Sequence, residues 1–169
     1  MSDVSQLDPE AFEDPLSNYE PAEYPSELHR ALAEDSVDGI QSRPFVRVSA
    51  SAPIRDALQA MHGLGVSSLL VVRDHNVVGI FTERDVLEKV AERFEMLASD
   101  PVSSVMTSDP TVIYESDPAA AAVAAIAVAG HRHVPVLTVD GTVAGIISPL
   151  RVIHYLEGIM GTASPEMPR

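Results

Sequence analysis

The sequence predicts a mixed α/β protein of the α+β type, in which one β-α-β-β-α unit occurs twice behind an acidic N-terminal extension. Three observations carry this expectation. Residues 46–96 and 111–159 repeat one order of landmarks: Pro53 and Gly65 recur 65 positions on as Pro118 and Gly130, and Gly79 recurs 66 positions on as Gly145. The one-residue difference implies an insertion, which is placed beside Val139. Within each unit, short apolar runs alternate with stretches of helical periodicity. A unit of this size buries its own faces poorly, so the two copies are expected to pack sheet to sheet.

The extension comes first. Residues 1–38 hold 11 acids and one base, Arg30, which leaves 14 acids and 10 bases for the rest of the chain. Pro9, Pro15, Pro21 and Pro25 among few aliphatic residues describe a solubilising tail that cannot repay its ordering entropy. Phe12, Tyr19 and Tyr24 leave a second reading open, in which spaced aromatics dock on a groove of this chain or of a partner. Ser26 is placed to cap a short helix running through Ala33.

The first repeat opens with an extended segment, Val46–Val48, and a helix whose first turn accommodates Pro53. Ile54, Ala57, Leu58 and Met61 form its apolar stripe. Two runs, Leu69–Val72 and Val77–Phe81, flank the turn Asp74-His75-Asn76, and a closing helix carries Val86, Val90, Phe94 and Leu97 on one face. Ala98 to Asp109, with Pro101, reads as the connection between repeats.

The second repeat follows the same plan. Its strand is Thr111–Ile113, and its first helix, Ala119 to Ala129, is alanine-rich and suited to a close helix–helix contact, within the chain or between chains. Val134–Val139 and Thr142–Ile147 flank Asp140-Gly141, a strong hairpin signal. Val152, Ile153, Leu156 and Ile159 mark the closing helix. The expected domains are the extension 1–38, the repeats 39–98 and 99–160, and a tail 161–169.

Composition excludes several functions. A net charge of -14 opposes binding to a nucleic-acid backbone, which needs clustered bases. The absence of cysteine removes disulfides, thiolate metal sites and thiol nucleophiles. The apolar stretch Ala119 to Gly130 is short for a membrane span, and the acidic start lacks the basic region of a signal peptide, so a cytoplasmic location is expected. His131 and His133 begin a metal pattern that gains no third ligand. Gly63-x-Gly65 follows a helix instead of a strand and fails as a dinucleotide loop. No nucleophile with a base and no carboxylate pair stands out, so the chain is not expected to be an enzyme.

One stretch, Gly79-Ile80-Phe81-Thr82-Glu83-Arg84-Asp85, combines with Arg132-His133-Val134-Pro135-Val136 to carry a resemblance. Over residues 39–160 the sequence resembles the tandem CBS (cystathionine-beta-synthase-type) domain pair. The resemblance implies a non-catalytic regulatory module that binds AMP, ADP, ATP or S-adenosylmethionine between its repeats, with no required cofactor. It assigns Thr82 to phosphate or ribose, Asp85 to ribose hydroxyls, and Arg132 and His133 to phosphates, with Arg84 and Arg47 as secondary candidates. Helix-start N–H groups attract phosphate and a carboxylate accepts from a diol, so the chemistry is sound. Thr82-x-x-Asp85 is equally the pattern of a helix cap without a ligand.

The second copy, Gly145-Ile146-Ile147-Ser148-Pro149-Leu150-Arg151, keeps a hydroxyl in Ser148 but has Arg151 at the position of the motif aspartate. One adenosine site per chain, around the first motif, is therefore expected, with Val48, Pro53 and Ile80 as its apolar slot. The resemblance also implies a homodimer formed through helices and a regulated protein of unknown identity. The alternative is a ligand-free dimerisation module acting through its acidic tail.

Overall fold

A computed structural model describes residues 22–162. Phe12, Tyr19 and the prolines at 9, 15 and 21, on which the expectations for the tail rest, lie outside the described residues, as do residues 163–169.

Ser26 caps α1 (Glu27–Glu34), its hydroxyl accepting the His29 N–H. The first sheet has the order β1 (Arg47–Ser49), β2 (Ser68–Arg73), β3 (Asn76–Thr82), β4 (Thr107–Ser108). The second has the order β5 (Ile113–Tyr114), β6 (Val134–Leu137), β7 (Val143–Ile147). In each, the first pair is parallel and spanned by a helix, α2 (Ile54–Leu64) or α5 (Ala119–Ala127), and the next pair is an antiparallel hairpin. The extra residue sits in the second hairpin: Val72 pairs Val77, whereas Leu137 pairs Val143 around a loop longer by one.

The closing helices differ. α6 (Pro149–Thr162) is continuous. Its counterpart over 83–97 is not the single helix that its periodicity suggests. It runs as α3 (Glu83–Asp85), a π turn (Val86–Val90), a 3-10 turn (Ala91–Arg93) and α4 (Phe94–Leu97).

Each repeat is completed by the segment that leads into the other. The Val102 N–H donates to Ala52 O at 2.8 Å and the Ile54 N–H to Asp100 O at 2.9 Å, fastening the connection to the first repeat. At the positions 65 residues away, the Val37 N–H donates to Asp117 O and the Ala119 N–H to Asp35 O, both at 2.8 Å. Val37 and Ile40 are accordingly buried in the second repeat's core, and Val102 and Val105 in the first's. This corrects the reading of residues 27–38 as a solvated tail: Ala31 is buried, and the Tyr155 hydroxyl on α6 donates to Asp35 Oδ2 at 2.9 Å. The alanine face of α5 receives α1 of the same chain.

Between the sheets lies a third, small core of Leu70, Ile80 and Ile146, flanked by Phe45 and Val143. The two repeat glycines permit the lead-in segments to approach closely: a Cβ on Gly79 would collide with Met106, and one on Gly145 with Ser42. No helix among the described residues is long and apolar enough to cross a membrane.

Candidate functional site

The β2–β3 and β6–β7 hairpins bring the start of β2, the start of β6 and both motif turns to one seam. There the Ser67 hydroxyl and His133 Nε2 lie 3.0 Å apart. On one side of this contact opens a cleft of about 190 Å³ lined by Ser67, Thr82, Glu83, Arg84 and residues 130–133. On the other side a cleft of about 290 Å³ is lined by Phe45, Val46 and Ile146 together with Ser67, Ser68, His133, Ser148 and Arg151. Ser67 and His133 line both.

Thr82 and Asp85 form a reciprocal cap. The Thr82 N–H donates to Asp85 Oδ2 at 2.9 Å, the Thr82 hydroxyl donates to the same oxygen at 2.8 Å, and the Asp85 N–H points back at Thr82 Oγ1 at 3.4 Å. Asp85 Oδ1 accepts from Lys89 Nζ at 2.6 Å and from the Thr107 hydroxyl at 3.0 Å. With 3% exposure, this carboxylate has its acceptor positions filled from within the chain. Burial pushes the carboxyl up, and the bonds from Lys89, Thr82 and Thr107 outweigh it, leaving the group below its ordinary value. Lys89 also donates to the carbonyls of Val105 and Met106, so the motif is tied to the connection between repeats.

His133 has the opposite environment. Burial holds its imidazole below the ordinary histidine value, Glu83 opposes that effect, and Arg132 and Arg151 add to it. The neutral ring is therefore the resting form. Arg151 donates to Ile146 O at 2.6 Å and to Pro44 O at 2.5 Å, joining α6, β7 and the segment before β1. Thus the residue at the second motif's aspartate position fastens backbone together and also lines the larger cleft.

Of the residues singled out in the sequence, Thr82, Arg84, Arg132 and His133 meet in the smaller cleft, and Ser148 lines the larger. Ile80 is buried in the core between sheets instead of lining a slot. Val48, Pro53 and the secondary phosphate candidate Arg47 are corrected outright, Arg47 because it lines a cleft at the outer end of the first repeat and neither cleft at the seam. Val48 packs into the first repeat's core and faces its outer end, and Pro53 pairs with Pro101 there, because β1 and the start of α2 run away from the seam. The apolar wall is supplied by Phe45, Val46 and Ile146, which sequence reasoning missed. Phe45 precedes β1 just as Pro110 precedes β5, and its aromatic side chain was the available signal.

The sequence pattern of the CBS domain matches residues 37–92 and again 102–158. The chain belongs to the CBS domain family. The two matches begin 65 residues apart, the interval that relates the two lead-in segments. A 17.7 kDa protein of Acidianus ambivalens is 31% identical over 102 residues, 60% of this chain and 60% of that protein, so the alignment spans less than two thirds of that relative. The Arabidopsis thaliana CBS-pair protein CBSX2, solved in complex with AMP, is 23% identical with a TM-score of 0.64 over 74% of this chain and 98% of its own. The Pyrobaculum aerophilum CBS domain protein PAE2072, also complexed with AMP, is 22% identical with a TM-score of 0.62 over 73% of this chain and 98% of its own.

Proposed function

We propose that this CBS pair is a non-catalytic regulatory module that senses an adenosine nucleotide at the seam between its repeats and reports occupancy to a partner protein. The observation that carries this is the Ser67–His133 contact, on whose two sides a cationic cleft and an apolar-walled cleft meet. The base and sugar occupy the larger cleft against Phe45, Val46 and Ile146, with the Ser148 hydroxyl and Arg151 at its polar edge. The phosphate reaches past His133 toward Arg132 and Arg84. Thr82 borders that cleft, and Asp85, which takes its hydroxyl hydrogen, fixes the turn that forms this wall. The complexes of CBSX2 and PAE2072 with AMP support this nucleotide class. AMP is therefore the first ligand to test, with ADP, ATP and S-adenosylmethionine beside it.

A homodimer is part of the proposal. The groove between α2 and the turn after α3, lined by Leu58, Met61, Val66, Val86 and Leu87, is an apolar surface suited to a second copy. Ligand binding regulates only if it favours one arrangement of the repeats over another.

Thermal unfolding with AMP and with GMP as the control tests the reading. A ligand at 100 times its dissociation constant adds about 2.7 kcal/mol, which raises the midpoint by several degrees. A rise with AMP that is lost in His133→Ala supports the proposal. No rise with any adenosine compound, in protein freed of copurified nucleotide, favours a ligand-free dimerisation module.

A further inference from the structure

One broad concave surface of the described residues is not at the seam. It lies at the outer end of the first repeat, where a cleft of about 880 Å³ is lined by the ends of β1 and β2, the hairpin turn and the connection between repeats. We propose that this cleft is a separate binding site for a small anion carrying several phosphate groups.

Its polar lining is Arg47, Ser49, Ser51, Arg73, His75 and Ser103, with Asp74 as its one carboxylate. In a chain with 25 acidic residues and 11 Lys plus Arg, two arginines and a histidine are gathered here. Among the described residues the Arg47 and Arg73 guanidiniums, like those of Arg55 and Arg132 elsewhere, have no hydrogen-bonding or ion-pair partner, whereas Arg30, Arg43, Arg84, Arg93 and Arg151 do. Unpartnered guanidinium forks are the groups best matched to phosphate oxygens. The Ser49 and Ser51 hydroxyls, 2.9 Å apart, share one hydrogen between them and leave the other free to donate to an anion.

The repeat itself supplies a control, because the scaffold does not demand these residues. At the positions 65 residues away, Arg47 becomes Val112, Ser49 becomes Tyr114 and Arg73 becomes Thr138, while Ser103 corresponds to Asp38. The same fold is thus built in the second repeat without the cations and with an acid at one wall. The hairpin tip shows the same contrast. The second repeat turns through Asp140-Gly141, with Gly141 at a φ of 80°, whereas the first holds His75 at a φ of 69°. That region suits glycine, so an imidazole there is kept at a conformational cost and is directed to the cleft.

The test titrates the full chain with inorganic tripolyphosphate at low ionic strength by calorimetry, and follows the His75 and His133 ring signals by NMR. The proposal expects saturable binding that shifts the His75 signals and weakens with added salt. It also expects a loss of roughly tenfold in Arg47→Gln and in Arg73→Gln, from the removal of a charge-assisted bond. Arg73→Lys, which keeps charge but not the fork, should fall between. AMP affinity should be the same in all three variants. The proposal is overturned by an absence of tripolyphosphate binding, by binding that the double Arg47→Gln/Arg73→Gln variant leaves intact, or by a response confined to His133. Binding of an acidic peptide in place of tripolyphosphate would also overturn it, by making the cleft a protein-docking surface.

Discussion

Ser67 and His133 are 66 residues apart in the chain and meet across the two repeats, hydroxyl to Nε2, at 3.0 Å. The contact is the only place where the β2 and β6 starts share a hydrogen bond among the described residues, and both seam clefts border it. Its imidazole is held below the ordinary value of 6.5 by burial, against the pull of Glu83 and with help from Arg132 and Arg151. The folded state therefore prefers the neutral ring. That preference stabilises the fold in full above pH 6.5 and is lost as pH falls through the depressed folded value. Urea unfolding at pH 7.5 and 5.5 should show a drop on acidification that is smaller in His133→Gln. A bound phosphate reverses the preference by favouring imidazolium, so AMP binding should take up protons and tighten from pH 8 to 6. Calorimetry in buffers of different ionisation enthalpy measures that uptake.

Asp85 stands at a junction of four donors, which makes its removal more than the loss of a ligand contact. Asp85→Ala deletes the cap and leaves the Lys89 ammonium with carbonyls alone, at a cost of about 2 kcal/mol once the half-exposed lysine is allowed for. Because the folded carboxyl lies below its ordinary 3.8, its contribution is complete above that pH and fades as pH falls further. Asp85→Asn should keep most of the cap and abolish that acid-side dependence. Both variants lack the carboxyl and so lose that dependence: urea midpoints at pH 6 separate the two from each other, and midpoints taken down to pH 3 separate both from the unsubstituted chain.

What the sequence made legible was local or repeated. Ser26 announced its helix by cap chemistry, and the glycine spacing located the extra hairpin residue without any structure. The break in the helical segment over 83–97 was not visible. Val86, Val90 and Phe94 are four apart, a spacing that an α-helix and a widened π turn satisfy alike. Val48 and Pro53 were misplaced because strand alternation tells which face a residue occupies but not which end of the sheet meets the other repeat. The partners of Asp85 divide in the same way. Lys89 at i+4 is a helical neighbour, whereas Thr107 reaches it only through the β3–β4 pairing.

Arg151→Asp restores the motif aspartate in the second repeat, yet it should not create a ribose site. The arginine donates to two carbonyls, Ile146 O and Pro44 O, and a carboxylate in its place would face acceptors only. We expect a loss of about 2 kcal/mol in unfolding free energy and weaker AMP binding, because Arg151 also borders the larger cleft. Arg151→Lys, which still donates, should recover much of the stability. Denaturant melts and AMP titrations of the two variants check both halves of this prediction.

The lead-in helix α1 belongs energetically to the second repeat. Ala31 is buried against it, and Tyr155 on α6 spans the contact through the Ala31 carbonyl at 3.3 Å and Asp35 Oδ2 at 2.9 Å. Burial and the bond to Asp35 push the phenol up to about 12, so it remains a donor throughout the physiological range. Tyr155→Phe keeps the ring and removes the donor, and should cost about 1 kcal/mol. Deleting residues 1–34 removes the whole helix and uncovers the apolar surface of α5 and α6 beneath it. It should therefore cost more than Tyr155→Phe and promote self-association through the exposed alanine face. Urea unfolding and light scattering distinguish these outcomes. A truncated chain as stable and as dispersed as the full one would place α1 outside the folding unit, against the burial of Ala31 and the bonds from Tyr155.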